Sequence, residues 1–148
     1  MSKEKAAPSV DPHSTRRRAP EMPLSPHLQI WRWHVTMAGS ILHRLSGVGL
    51  YAGAALVVAW LACVAAGPEC YAFCVSLLSS PLGMLVWAAL SAGAFYHLFS
   101  GVRHLVWDLG YGLEPKAASR LASWSIVLAA LSTAAFWAWL FISGRVAL

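Results

Sequence analysis

Seven side chains of chemical interest fall in two short stretches. Ser40, His43 and Arg44 form one, and His97, Arg103, His104 and Asp108 form the other. Both border apolar runs: between Leu45 and Val102 the only formal charge is Glu69. Ionisable groups within or at the edge of a membrane span are costly and tend to mark function. His97 lies deepest, with Gly93 four residues before it and Gly101 four after. On a helix these three share a face, so the imidazole projects from a flat groove. Such a groove admits either a closely packed neighbouring helix or a flat macrocycle with the histidine on its iron. Spacing alone leaves both open. His104 lies two turns further on, about 10 Å along the same face. That is too far to share one iron axially, but a suitable distance to reach a haem propionate at the membrane surface. His43 is read as lying nearer the interface, so a second axial ligand would come from a partner chain. Ser40 and Arg44 are four apart on one helix face and are able to hold a carbonyl oxygen. Their plainer readings are a helix-start serine and a snorkelling arginine.

These residues need elements to position them. The chain has 148 residues, 58% hydrophobic and only 11% charged, against about 25% charged in ordinary soluble domains. This excludes a soluble globular enzyme, a disordered chain, a collagen-like repeat and a disulfide scaffold. A bilayer core of about 30 Å takes about 20 apolar residues as a helix. Leu45–Ala66, Leu82–Val102 and Leu121–Gly144 are free of formal charge except for the histidine inside the second. Backbone groups in lipid must pair internally, which makes these runs helices. The expected fold is all-α with three transmembrane helices, over about 40–66, 82–109 and 120–144, within an anchor domain over 23–148. Gly67-Pro68 should close the first helix and Pro81 open the second, with a loop between. Ser119 is expected to cap the third. Trp124, Trp137 and Trp139 are expected to face lipid or an interface rather than a cofactor.

Ten of the eleven Lys and Arg lie in residues 1–44 or between the second and third spans, and only Arg145 lies on the other side. The positive-inside rule then puts the N-terminus and both polar groups on the cytoplasmic or matrix side. Residues 1–22, rich in proline and charge, are expected to be disordered. Arg16-Arg17-Arg18 reads as a topology anchor on anionic lipid rather than a nucleic-acid site. Glu4, Asp11 and Glu21 argue against a mitochondrial transit peptide, favouring a bacterial inner membrane over a mitochondrial one. Cys63, Cys70 and Cys74 show no zinc or CxxC spacing. Free thiols and a Cys70–Cys74 disulfide both stay open.

The stretch LSPHLQIWRWHVTMAGSILHRLSGVGL (Leu24–Leu50), followed by HLFSGVRHLVWDLG (His97–Gly110), resembles the cytochrome b subunit of succinate dehydrogenase, a membrane anchor of respiratory complex II. The shared patterns are S-x-x-H-R-x-[ST]-G and H-x-x-x-G-x-R-H-x-x-x-D-x-G, in order and in the expected helices. Trp31 departs from the family's usual tyrosine but keeps an aromatic ring. The resemblance implies pairing with a second three-helix anchor to hold one haem b and a ubiquinone site, beneath an iron–sulfur subunit and a flavoprotein subunit. It places His97 as a haem axial ligand, with the other histidine from the second anchor. Ser40 and Arg44 match the quinone site, where the serine would hydrogen-bond a quinone carbonyl and the arginine would stabilise negative charge on its oxygen. His43 and Arg44 match contacts to the haem propionates, with Arg103 and His104 nearby and Asp108 behind them. Nothing in the chain resembles a flavin, iron–sulfur or dicarboxylate site, so the implied oxidation of succinate belongs to the partners. Rival readings are a fumarate reductase anchor, a haem-less quinone anchor, and a small proton-coupled transporter. The last lacks polar groups across the outer half.

Overall fold

The computed structural model describes residues 32–146. The segment expected to be disordered and the arginine triplet lie outside them. Four helices follow in chain order: α1 Val35–Ala66, α2 Pro68–Leu78, α3 Pro81–Asp108 and α4 Pro115–Ile142. No strand occurs among the described residues. Helices α1, α3 and α4 are long and apolar enough to cross a membrane. At 1.5 Å per residue, a helix of 28 residues spans about 42 Å, more than the hydrocarbon core. The surplus turns hold the polar groups. They lie at the start of α1 and the end of α3, which the antiparallel packing of these two helices brings together.

Helix ends follow local chemistry. Proline stands in the first turn of α2, α3 and α4, where its missing N–H costs nothing. The Ser80 side chain accepts from the Gly83 amide at 3.1 Å, capping α3. Gly67 has φ 113° between α1 and α2, a left-handed conformation that favours glycine. Two expectations need correction. The segment after the first span is not a loop but the 11-residue helix α2. Ser119 does not cap the third span, because α4 starts at Pro115 behind Glu114. The fixed proline φ sets the first helical residue there, and Ser119 falls inside the helix. Helix α1 begins at Val35, so it extends beyond its apolar core.

The interfaces are built on small residues. Gly39 and Gly53 are the buried positions of α1, and Ala122, Ser125 and Ala129 those of α4. Ser100 of α3 is wholly buried. With little hydrophobic drive between helices in lipid, close backbone approach and interhelical hydrogen bonds must hold them. The Trp137 indole N–H donates to Ser91 Oγ at 2.8 Å, joining α4 to α3. It therefore turns inward, whereas Trp124 and Trp139 are exposed. Gly53 lets α3 come close, since a Cβ there would lie 2.8 Å from Leu90 Cδ2, whereas one on Gly49 would meet nothing within 4 Å. Large apolar side chains point outward, Val48 at 71% and Leu82 at 70% exposure, as lipid or a partner subunit requires.

The turn from α2 into α3 is tight. A Cβ on Gly83 would meet the backbone oxygens of Leu77 and Leu78, which cannot yield as a side chain can. Gly83→Ala is expected to destabilise the protein by about 1–3 kcal/mol. A lowered thermal midpoint of the detergent-solubilised protein checks this.

Candidate functional site

Three imidazoles meet where α1 crosses α3. His43 stacks on His97, with ring centroids 4.1 Å apart and planes 9° apart. It also lies 5.0 Å from His104, tilted by 35°. His43 is thus level with His97, deeper than the sequence suggests. The crossing of the helices, rather than distance along either one, sets that depth. His104 Nδ1 donates to the Ser100 carbonyl at 2.6 Å, and its ring meets Trp107 edge-on.

Ser46 organises His97, a role the sequence did not reveal. Its hydroxyl donates to the His43 carbonyl at 2.8 Å and lies 3.1 Å from His97 Nδ1. A hydroxyl has one proton, and the carbonyl takes it. Nδ1 must therefore donate to Ser46 Oγ, which leaves the lone pair on Nε2. A histidine ligates iron through such a nitrogen, with its other N–H held by a polar group. Of the two glycines that flank His97, one borders open space and the other packs on α1. A Cβ on Gly101 would meet nothing within 4 Å, and one on Gly93 only Ser46 Cβ at 3.9 Å. Gly47 is required for the approach of α1, since a Cβ there would come within 3.3 Å of His97 Cε1.

Arg103 is 4% exposed. Its Nη2 donates to Ser100 Oγ at 3.1 Å, and its guanidinium lies 4.8 Å from the Trp107 ring centre. Nε and Nη1 are buried with no hydrogen-bond partner among the described residues. The arginine is held from one side by Gly39, where a Cβ would meet Nη1 at 3.1 Å, and Tyr96 closes the wall by donating to the Gly39 carbonyl at 2.7 Å. An ionised guanidinium with unpaired buried donors is unfavourable by several kcal/mol unless an anion satisfies it. A carboxylate is the natural complement. The histidine trio, the open space beside Gly101 and this arginine therefore fit a haem with its propionates.

Ser40 is half-buried and Arg44 exposed on α1. They sit about a quarter to a third of a turn around the helix from the face bearing Gly39, His43 and Ser46. The structure does not bring them into the histidine cluster. They lie beside it on an outward flank, open to another subunit. Asp108 is exposed at the last turn of α3. A groove of about 750 Å³, lined by Leu50, Trp87, Leu90 and Trp137, opens away from these polar groups and contains no histidine.

Fold and site together define a helical membrane anchor with three long apolar helices and a cluster of histidine and arginine at one end. Residues 18–137 match the family of succinate dehydrogenase/fumarate reductase transmembrane subunits, and the chain belongs to that family. It is similar to the succinate dehydrogenase cytochrome b556 subunit of Paracoccus denitrificans, 37% identical over 77% of this chain and 91% of that one. The Rickettsia felis b556 subunit is 34% identical over 74% and 84% of the two chains. The mitochondrial cytochrome b560 subunit of Mus musculus is 38% identical over 75% of this chain and 67% of its own. The function follows as that of a multi-pass membrane subunit of succinate dehydrogenase.

Proposed function

We propose that this chain, with a second three-helix anchor, holds one haem b and forms part of the site where ubiquinone is reduced. The observation that carries the proposal is the hydrogen-bond order at Ser46, which puts the His97 proton on Nδ1 and leaves Nε2 as the nitrogen with a lone pair. His97 would hold the haem iron from this chain, and a residue of the second anchor would hold it from the other side. Arg103 meets a propionate through its unpaired donors, with His43, Arg44 and His104 around it and Asp108 behind. His104 also holds its Nδ1 proton on a carbonyl, but it lacks glycines four residues before and after it.

Ser40 donates a hydrogen bond to a quinone carbonyl, and Arg44 places a fixed cation beside the oxygen that gains negative charge during reduction. The iron–sulfur subunit supplies the electrons, and the flavoprotein subunit oxidises succinate. The haem, when bound, supplies a one-electron reservoir. Orientation follows from the Lys and Arg distribution, with the polar end on the cytoplasmic side of a bacterial inner membrane.

Affinity purification from gently solubilised membranes tests the assembly. The tagged chain is expected to bring down a second small membrane subunit and the two soluble subunits, with succinate-dependent ubiquinone reduction and a b-type spectrum. Isolation without soluble subunits and without haem would contradict the proposal. The positioning role of Ser46 has its own test. Ser46→Ala is expected to weaken haem binding by about 10–100-fold, the usual loss when a ligand's supporting group is removed. Haem retention during washing, measured beside the midpoint potential, checks it. Unchanged values would mean that Nδ1 of His97 is held by another group.

A further inference from the structure

At the opposite end of α1 from the histidines, three sulfurs converge. The Sγ atoms of Cys63, Cys70 and Cys74 lie within 4.8 Å of one another, all as free thiols and all half-buried. Two features of the fold assemble them. Cys70 and Cys74 are four apart and share one face of α2. The turn at Gly67 then folds that face against the last turn of α1, which bears Cys63. The sequence spacing matches no common metal motif because the turn, rather than a loop of fixed length, makes the site.

We infer that these three cysteines form a binding site for one copper(I) ion. Thiolates are soft donors and select copper(I) or zinc. A trigonal ion with metal–sulfur bonds of about 2.3 Å needs sulfurs about 4 Å apart, so the thiols need to contract by less than about 1 Å. No histidine or carboxylate joins the group among the described residues. Structural zinc takes four ligands in a closed tetrahedron, whereas three sulfurs satisfy copper(I). Cys70 also stands in the first turn of α2, where the positive end of the helix dipole favours a thiolate. Three thiolates this close repel unless a cation sits between them. Binding replaces the thiol protons with the ion, the protons pass to water, and copper does not change oxidation state.

Cys63 is 20 residues from His43 along one helix, about 30 Å, so this site is separate from the histidine cluster. The intact complex, purified in detergent and kept reduced and anaerobic, is titrated with copper(I) against a chromophoric copper(I) chelator. One ion per chain is expected, with three sulfur neighbours and no nitrogen by X-ray absorption. Each single Cys→Ser variant should weaken binding by more than about 100-fold, beyond the usual loss from a supporting group. The triple variant C63S/C70S/C74S should not take up the ion, while its b-type spectrum and quinone reductase activity stay at the wild-type level, which shows that it folds and assembles. Equal uptake by the triple variant would overturn the proposal. So would preferential uptake of zinc, or a disulfide between any two of these cysteines in protein isolated from membranes.

Discussion

His97→Ala is expected to abolish the b-type signal in the reduced-minus-oxidised spectrum while the soluble subunits remain bound. With His97 on the iron as proposed, its removal takes away a metal bond, and no nearby group has the geometry to replace it. His43 lies against the His97 ring face rather than beyond Nε2, and His104 is tied to the Ser100 carbonyl. The substitution also gives up the stacking on His43 and the contact with Ser46, so retention of the soluble subunits is the readout that the anchor still folds. A signal of wild-type height in the variant would remove His97 from the iron.

Arg44→Ala is expected to lower succinate–ubiquinone reductase turnover by about 10²–10³-fold, the size of effect seen when a preorganised charge-stabilising donor is removed. Succinate oxidation with a soluble dye should continue at the normal rate, because the flavoprotein site is untouched. Ser40→Ala should be milder, about tenfold or less and mainly in KM, since one neutral hydrogen bond contributes only about 0.5–1.5 kcal/mol. Arg44→Lys should recover part of the turnover by restoring the charge without the planar fork. Full quinone reductase activity in Arg44→Ala would place the quinone elsewhere.

The long helices were legible because absence of charge over 20 residues is a signal that no soluble structure explains. Helix α2 was not, since 11 residues between two turns carry no membrane-length run. Its signals were present, however: Pro68 in its first turn and Gly67 before it. Pro115 likewise outweighed Ser119 as the start of α4. His97 stood out through its flanking glycines, which depend only on spacing within one helix. Ser46, Gly39 and Tyr96 act through the crossing of α1 over α3, which no single-helix pattern encodes. The same crossing brings His43 level with His97 and buries Arg103, which spacing along a single helix does not show. Cys63 joins Cys70 and Cys74 through a single glycine turn, equally invisible as a motif.

Chemical rescue of His97→Gly tests the axial ligand most directly. The variant complex is purified with its soluble subunits, then reconstituted with haem in the presence and absence of free imidazole. The expected result is loss of the b-type band without imidazole and its return when imidazole fills the space between Gly93 and Gly101. A band that persists without imidazole, or one that imidazole fails to restore in a fully assembled complex, would contradict ligation of the haem by His97.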